Sequence, residues 1–569
     1  MGMRRVRARF VVIAAAAGIV LGSGALAAQG GSDAAQQIRS LMSRGEIPGL
    51  SIATIEAGTV AWHGAFGIKH AESGEPVTER TVFEAASLSK PMFAYAVLRL
   101  VDRGEWSLDE PLWNTLEYDR LAHDERAKVI TTRMVLSHMT GLPNWGGTPL
   151  ELVRDPDTRW GYSGEGFGFL QRAIEAKTGI ALNALMRREV FEPLGMTQSS
   201  YVWTEAYDDE SATGHGLIGA AVPKRTPREG HAAATLHTTA LDYARFLAAA
   251  LTGEGLTPTL YQEMLEPQSQ KWNDDAPVAQ LYWGLGWGLQ QTARGTAIWH
   301  WGDNGVFRAY VIGYPAEDAG LVYFTNSENG LAIAEDLVAI FFRDTHYAIR
   351  DLDYARWDDP VRLAQIAMQR AFRDEGIEAG LRSYHAFAAQ HPDTVVGRLV
   401  GSLVGYLTGT RQFDAAVAVL TAQGERDPHP LVWVSLGEVH AGMGDYERAL
   451  ESYRQAIAMD STQGERLAPR MEWLRVGLRS APVTLSLDEM RACEGAYGAR
   501  HIALRDGGLV YWRDGSTSET RMIPLGRGLF ALESTKTFRM RIEFDEAGRA
   551  TKITGLYSDG RTDESPRSN

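Results

Sequence analysis

The chain has 569 residues, which at ~150 residues per folding unit predicts three or four units rather than one core. Its formal net charge of −14 disfavours nucleic acid as a partner. The single cysteine, Cys493, excludes an internal disulfide and a cysteine-based metal cluster.

The first 27 residues have the pattern of a secretory signal peptide. Four arginines precede an apolar stretch from Phe10 to Leu21, and small residues follow as far as Ala27. The apolar stretch is shorter than the ~20 residues that a membrane-spanning helix needs. We predict cleavage after Ala27 and a periplasmic or secreted protein without a stable membrane span. A leader retained as a membrane tether is the alternative.

Residues 31–350 are predicted to form one domain. Residues 50–70 read as a hairpin that turns at Ala57 and Gly58, and strands return from Tyr282 to Asn326 before a closing helix. Helical and loop-rich sequence lies between these two groups of strands. This order predicts an α/β (α+β) domain with a single antiparallel sheet flanked by helices, plus a helical subdomain. We expect both sheet edges to come from the ends of the domain.

An α-helical repeat array is predicted for residues 360–480, after an acidic linker at residues 351–360 that ends in proline. Residues 431–460 place their packing positions where a tetratricopeptide repeat has them, and that match is specific. The positions are Trp433, Leu436, Gly437, Ala449, Tyr453 and Ala456. Such helix pairs hold a protein or peptide partner or simply space domains, and the sequence does not choose between these uses.

A small antiparallel β domain is predicted for residues 485–562. Phe538, Met540, Ile542 and Phe544 alternate with charged residues, among them Arg539, as in a half-buried strand. Pairs of aspartate or alanine with glycine mark turns between the strands.

The segment from Thr81 to Gly104 carries the first chemical signal. Ser87 and Lys90 are three positions apart at the start of an apolar helical pattern, so their side chains share one helix face. Pro91 is tolerated only near the first turn of a helix, which places Ser87 at the N-terminal end. Free amides there favour the negative charge that develops when a serine attacks. The pair is a candidate nucleophile and base, although a serine three before a lysine also arises by chance.

Two further motifs follow in a matching order. Tyr162 lies in a predicted turn before a helix, in the sequence YSG, and His300 and Gly302 begin a strand in the sequence HWG. Together with SLSK at residues 87–90, these motifs resemble the serine β-lactamase and penicillin-binding-protein superfamily, in particular class C β-lactamases and their esterase and D-peptidase relatives. The resemblance spans residues 31–350. It implies a serine hydrolase that works through an acyl-enzyme.

The resemblance implies a role for each residue. Ser87 would be the nucleophile and Lys90 its base, provided that burial keeps the amine neutral. Tyr162 would be a phenolate or proton relay if the Lys90 charge lowers its pKa, and would protonate the leaving group. His300 completes the predicted catalytic set. The backbone amides of Ser87 and Asp303 would hold the oxyanion.

Two positions depart from the family pattern in ways that bear on the substrate. His300 stands where a lysine would receive a substrate carboxylate, and an imidazole is mostly neutral at pH 7. Gly164 ends the second motif, where an asparagine would donate to the substrate's amide. Gly164 and Gly302 are the predicted substrate-binding positions. These departures favour short acyl esters over β-lactams.

Other polar residues have simpler interpretations. We interpret His138 as a buried, hydrogen-bonded histidine rather than a catalytic one, and Asn326 as a turn former. No cluster of histidines and carboxylates has metal-ligand spacing, so we predict neither a metal nor a cofactor.

Three functions are compatible with the sequence. The first is an exported serine hydrolase acting on esters or amides. The second is a D-amino-acid peptidase or β-lactamase acting on cell-wall peptides or β-lactams, which the same motifs permit. The third is a catalytically silent cell-wall sensor or scaffold, against which the intact Ser87, Lys90 and Tyr162 argue. The predicted partners are a small-molecule ester, amide or peptide substrate and, through the repeats, a protein or peptide.

Overall fold

The computed structural model describes residues 23–270, 281–344, 346, 348–514, 519–526 and 528–568. Most of the predicted signal peptide, residues 1–22, therefore lies outside the described residues. The chain divides into two compact units, residues 1–363 and 364–569. Across the described part of the chain, no helix has the length and apolar character needed to cross a membrane.

The first unit combines helices with a large sheet. Its helices are α1 (Ser23–Gly45), α2 (Ser89–Asp102), α3 (Thr132–Leu136), α4 (Gly164–Thr178), α5 (Leu182–Met186), α6 (Tyr207–Glu210), α7 (Ala240–Thr252), α8 (Pro258–Leu265), α9 (Ala334–Phe342) and α10 (Ala348–Asp351). Its strands are β1 (Gly49–Glu56), β2 (Thr59–Gly67), β3 (Phe83–Glu84), β4 (Gly214–His215), β5 (Ala221–Val222), β6 (His237–Thr238), β7 (Ser269–Gln270), β8 (Leu281–Trp283), β9 (Gly288–Thr292), β10 (Gly295–Asp303), β11 (Arg308–Tyr314) and β12 (Ala319–Thr325).

The main sheet has eight strands in the order β2-β1-β12-β11-β10-β9-β8-β7, and every neighbouring pair is antiparallel. This confirms the predicted fold class. The expectation for the edges is only half right, because β2 forms one edge whereas β12 pairs with β1 inside the sheet. β10, β11 and β12 follow one another as hairpins, which leaves the outer side of β12 open to receive β1.

Both faces of the sheet are covered, which explains why β1 is buried along almost its whole length. Leu50 and Ile52 pack on the face that α1 and α9 cover, while Ala53 and Ile55 pack on the face of α2 and α7. α2 is buried nearly all round and supports the turn that carries Ser87.

The predicted hairpin is present. Ala57 and Gly58 both have positive φ, at 48° and 70°, as a tight two-residue turn between β1 and β2 requires. Asn326 is more than the predicted turn former. It is fully buried, and its amide nitrogen donates to the backbone carbonyls of Ile68, Lys69 and Thr213 at 3.1 to 3.2 Å. It therefore ties the end of β12 to two distant segments.

The segment predicted as a linker packs on the first unit. The Trp357 backbone N–H donates to Ala332 at 3.2 Å, and its indole donates to Asp336 at 3.1 Å. The Arg362 guanidinium donates to the Gly45 carbonyl at 2.8 Å. Residues 351–362 therefore belong to the architecture that surrounds the sheet, and the connection between the units comes after them.

The second unit contains a helical array and then a sheet. After α11 (Pro360–Asp374), which crosses the boundary between the units, its helices are α12 (Ile377–Ala388), α13 (Asp393–Gly409), α14 (Phe413–Arg426), α15 (Pro430–Met443), α16 (Tyr446–Met459), α17 (Gln463–Arg479) and α18 (Leu487–Cys493). Its strands are β13 (Gly495–Tyr497), β14 (Arg500–Arg505), β15 (Gly508–Arg513), β16 (Thr520–Gly526), β17 (Leu529–Leu532), β18 (Thr535–Phe544), β19 (Ala550–Tyr557) and β20 (Thr562–Pro566).

The helical array has the close contact that the repeat pattern predicts between α15 and α16. A Cβ on Gly437 would lie 2.3 Å from the Tyr453 ring, so only glycine lets the two helices approach this closely. Ala449 and Ala456 are fully buried on the same side. The array is observed, while its assignment to the tetratricopeptide class stays a prediction.

The C-terminal sheet is an eight-stranded antiparallel meander, with β13 to β20 paired in chain order. Phe538, Met540 and Ile542 face its core as predicted. Arg539, expected on the solvent face, is instead buried: its guanidinium lies 4.0 Å from the centre of the Trp473 ring and donates to the Trp473 carbonyl. The outer face of β18 is covered by the helical array, which the alternation of the strand could not reveal.

Candidate active site

Ser87 lies in a short 3₁₀ turn, Ala86–Leu88, that leads directly into α2. Ala86 has φ +50°, a conformation that side chains other than glycine rarely adopt, so the turn is strained beside the candidate nucleophile. The Lys90 Nζ lies 2.9 Å from the Ser87 Oγ. The three-residue spacing thus brings the hydroxyl and the amine into hydrogen-bond contact, with Ser87 half-buried and Lys90 fully buried.

The environment of Lys90 favours a neutral amine. Its Nζ makes a second hydrogen bond, of 2.9 Å, to the Ala233 carbonyl. Complete burial lowers the pKa of Lys90 well below its usual value, because desolvation penalises the charged form. A neutral amine has a lone pair, so the Lys90 amine can accept a proton from the Ser87 hydroxyl as well as donate one to it.

Tyr162 lies in the loop before α4, with its ring centre 4.7 Å from the Lys90 Nζ. Burial raises the pKa of Tyr162 far above its usual range, and the smaller, opposing effect of the nearby Ser87 hydroxyl does not offset it. Burial rather than the Lys90 charge sets the direction of the shift, so the expected lowering of the Tyr162 pKa does not occur. Tyr162 is therefore a neutral phenol that can donate a proton.

His138 holds the tyrosine loop in place. Its ring centre lies 4.4 Å from that of Tyr162, and its Nδ1 accepts a 3.1 Å hydrogen bond from the Ser163 backbone N–H. Complete burial, with a smaller effect of Lys90, lowers the pKa of His138 well below its usual value, so the ring is neutral. His138 is thus the buried, hydrogen-bonded histidine that the sequence suggested, and it lies directly behind the site.

The third motif lies on β10, against the turn that carries Ser87. A Cβ on Gly302 would come within 2.5 Å of the Ala85 carbonyl oxygen, so only glycine lets the strand approach that turn. His300 is fully buried and its Nδ1 contacts the Trp301 carbonyl at 2.8 Å. Burial, followed by the effect of Lys90, lowers the pKa of His300 to about 3. His300 is neutral across the physiological range.

Asp303 follows Gly302 and has a densely occupied carboxylate. It pairs with the Arg308 guanidinium across the turn between β10 and β11. The carboxylate accepts a 2.8 Å hydrogen bond from the Gly305 backbone N–H and a 2.6 Å hydrogen bond from the Tyr354 hydroxyl. The backbone of Asp303, which is the predicted oxyanion donor, is therefore anchored through its own side chain.

A loop from an earlier part of the chain occupies the place where the second motif would carry a longer side chain. A Cβ on Gly164 would lie 2.9 Å from the Asn144 carbonyl oxygen and 3.0 Å from the Trp145 Cη2. The Gly164 N–H donates to the Asn144 side-chain oxygen at 3.0 Å. The Trp145 indole is 54% exposed and packs edge-on against His231 at 5.4 Å. Where the family pattern has an asparagine at the position of Gly164, this chain has a neighbouring loop that presents an exposed aromatic surface.

Glu165 anchors this loop. Its carboxylate is almost fully buried and forms an ion pair with Arg120 at 2.6 Å. It also accepts a 2.9 Å hydrogen bond from the Gly146 backbone N–H. Arg120 in turn donates to the Gly146 carbonyl at 3.0 Å. This rim loop, residues 144–147, is thus held by a partly buried ion pair rather than left free.

Sequence reasoning identified neither Asn144 and Trp145 nor Tyr354 as part of the site. The glycine at position 164 was a usable signal, because the space that a side chain would take there must be filled by a neighbouring residue. Nothing in the sequence around Tyr354 suggested its contact with Asp303, since the two residues meet only in the folded chain.

Comparison with known proteins places this chain in a family. The family model described as Beta-lactamase matches residues 34–341, more than half of the chain. Penicillin-binding protein 4 of Amycolatopsis lactamdurans is 26% identical over 334 residues, covering 53% of this chain and 87% of its own. Esterase EstB of Burkholderia gladioli is 28% identical over 288 residues, covering 41% of this chain and 71% of its own.

Among solved structures, D-alanine carboxypeptidase AmpC of Burkholderia cenocepacia aligns with a TM-score of 0.47 and 22% identity, covering 55% of this chain and 99% of its own. The family match over residues 34–341 includes the Ser87 turn, the Tyr162 loop and the His300 strand. The chain belongs to the beta-lactamase family.

Proposed function

We propose that this protein is an exported serine hydrolase that acts on esters or amides through an acyl-enzyme on Ser87. The observation that carries the proposal is the 2.9 Å contact between the Ser87 hydroxyl and a fully buried Lys90. A serine needs a base during attack, and a desolvated amine is neutral at the moment it must accept a proton. Export rests on the signal-peptide pattern of the first 27 residues.

In the first step, Lys90 takes the Ser87 proton as the serine oxygen attacks the substrate carbonyl. The amides of Ser87 and Asp303 hold the negative oxygen of the tetrahedral intermediate. Tyr162 gives its phenolic proton to the leaving group and regains one from Lys90. Water then hydrolyses the acyl-enzyme by the same steps in reverse order. After one turnover Ser87, Lys90 and Tyr162 are back in their starting protonation states, because the proton that departs on the leaving group is replaced by one from water.

The site favours a substrate with a neutral, apolar acyl group. His300, with a pKa of about 3, supplies no cation for a substrate carboxylate. Gly164 has no side chain to bind an acylamino group, and its neighbouring space is filled by Asn144 and Trp145. The exposed Trp145 indole offers an apolar surface beside Gly164 and His231. We therefore propose that acyl esters are better substrates than β-lactams.

The relatives keep a second activity in view. One is named as a penicillin-binding protein and another as an esterase, so hydrolysis of D-amino-acid peptides by Ser87 is the second candidate. The neutral His300 favours the esterase proposal, since a peptide that ends in a free carboxylate calls for a cation.

The test is a comparison of kcat/KM for p-nitrophenyl butyrate, a chromogenic cephalosporin and a D-alanyl-D-alanine peptide. We expect the ester to be the best substrate and Ser87→Ala to abolish turnover of all three. A wild type that hydrolyses the cephalosporin at ~10⁴ M⁻¹s⁻¹ or more while ignoring the ester would contradict the substrate proposal. A folded wild type that turns over none of them would support the silent sensor.

A further inference from the structure

The segment that follows the matched family region reaches the candidate site through Tyr354. Its hydroxyl donates a 2.6 Å hydrogen bond to the Asp303 carboxylate and accepts one of 3.2 Å from the Trp301 indole. The Arg308 guanidinium, which pairs with Asp303, lies 5.5 Å from the centre of the Tyr354 ring. Tyr354 thus contacts three residues at the site end of β10 and β11.

Tyr354 itself is held by structure on the same unit. It follows α10 through a backbone hydrogen bond from its N–H to the Ile349 carbonyl, and Trp357, three residues later, is fixed by its bonds to Ala332 and Asp336. The hydroxyl is therefore presented to Asp303 from a segment fixed on both sides. A hydrogen bond to a carboxylate from such a segment restricts the strand end more than one from a free loop would.

The position of Asp303 gives this contact a consequence for catalysis. Its backbone N–H is the proposed oxyanion donor, and its carboxylate is the group that Tyr354 holds. Oxyanion stabilisation depends on donors that are already in place when charge develops, so a small rotation of this peptide weakens it. Trp301, the second partner of Tyr354, packs 4.7 Å from the ring centre of Tyr162, the proposed proton donor.

We propose that Tyr354 is a positioning residue for hydrolysis: its hydroxyl fixes Asp303 and Trp301, so that the oxyanion amide and the Tyr162 ring stay in their productive places. This inference rests on the proposed function. It extends the active-site architecture beyond residue 341, where the family match ends, into the segment that leads to the second unit.

The experiment uses the full-length protein with p-nitrophenyl butyrate and measures kcat and KM separately. We expect Tyr354→Phe to lower kcat about tenfold, less than the ~10²-fold or more that removal of an oxyanion donor costs. KM should stay within about twofold of wild type, because Tyr354 acts on the transition state rather than on substrate binding. Titration of Ser87 with a fluorophosphonate normalises each rate to folded, reactive sites.

Tyr314→Phe is the matched control. The Tyr314 hydroxyl donates a 3.0 Å hydrogen bond to the Asp344 carboxylate, which is the same type of contact that Tyr354 makes with Asp303. Tyr314 lies at the opposite end of β11. We expect its kcat to equal that of wild type. A second test repeats Tyr354→Phe in an Asp303→Ala background, where the hydroxyl has no carboxylate to hold and should cause little further loss.

The inference is overturned if Tyr354→Phe leaves kcat within about twofold, if the loss falls on KM alone, if Tyr314→Phe loses as much, or if the loss is fully additive with Asp303→Ala. A wild type that neither hydrolyses the ester nor reacts with the fluorophosphonate contradicts the proposed function itself. That outcome is recognised before any variant is measured.

Discussion

The two halves of the site are assembled in different ways. Ser87 and Lys90 meet because one turn of chain places positions three apart on the same face, and their contact needs no distant element. Asp303 and Tyr354 are 51 residues apart and meet only because the chain after α10 packs back on the sheet. Local sequence spacing determines the first half, and tertiary structure determines the second.

The difference shows where function can be changed without altering a motif. We expect substitution of Ser87 or Lys90 to abolish catalysis, whereas the distant half is held by hydrogen bonds whose loss should reduce the rate only partly. Gly302 is the junction between the halves, because it lets β10 lie against the carbonyl of Ala85.

The strongest test of the local half is Lys90→Met, which removes the proposed base. We expect kcat/KM for a short ester to fall by ~10²- to 10⁴-fold, the usual contribution of a general base. Lys90→Arg should be as inactive, since a guanidinium stays protonated and cannot accept the serine proton. Rates close to wild type for either variant, measured on folded protein by steady-state kinetics, would point to a different base.

The distant half is tested by truncating the chain at two positions. A chain ending at residue 363 keeps Tyr354 and Trp357 and should retain activity. A chain ending at residue 350 loses both, and we expect kcat to fall by as much as ~10²-fold, a cost typical of small misplacements in an active site. Circular dichroism melting checks that both chains fold. Equal activities would show that residues 351–363 only connect the two units.

The junction is tested by Gly302→Ala. The new Cβ would lie 2.5 Å from a backbone oxygen that cannot move freely, so we expect a loss of about 1 to 3 kcal/mol in the free energy of unfolding, together with reduced activity. Gly147→Ala is the matched control on the rim loop, where the nearest atom to a Cβ is 4.0 Å away. Urea denaturation of both variants measures the difference, and similar stabilities would contradict the close approach of β10.

The smallest effect is expected at the rim. Trp145→Ala removes an exposed indole without touching Ser87 or Lys90, so KM for an ester with an aromatic acyl group should rise several-fold, by about 1 kcal/mol of lost apolar contact. The acetyl ester should be nearly unaffected, which makes it an internal control. Equal changes in KM for both esters would remove Trp145 from the proposed acyl site.

Much of the fold was readable from the sequence, since hairpin turns at Ala57 and Gly58 and the alternation in β18 have local causes. The burial of Arg539 and the position of β12 inside the sheet could not be predicted, because they depend on tertiary contacts. The helical array covers β18, and β1 pairs with β12. The same holds within the site. Spacing predicted the contact of Ser87 with Lys90, but the raised pKa of Tyr162 follows from burial that no motif encodes.

The most direct test of the central claim is the rate at which a fluorophosphonate phosphonylates Ser87, with loss of fluoride, as a function of pH, with the adduct located by peptide mass spectrometry. Burial lowers the pKa of Lys90, so the amine is neutral above that pKa and becomes protonated as the pH falls through it. We predict a single adduct on Ser87 whose rate of formation falls towards acid pH, with no adduct in Ser87→Ala. An adduct on another residue, or a Ser87 rate in Lys90→Met that equals wild type and has the same pH profile, would contradict the account.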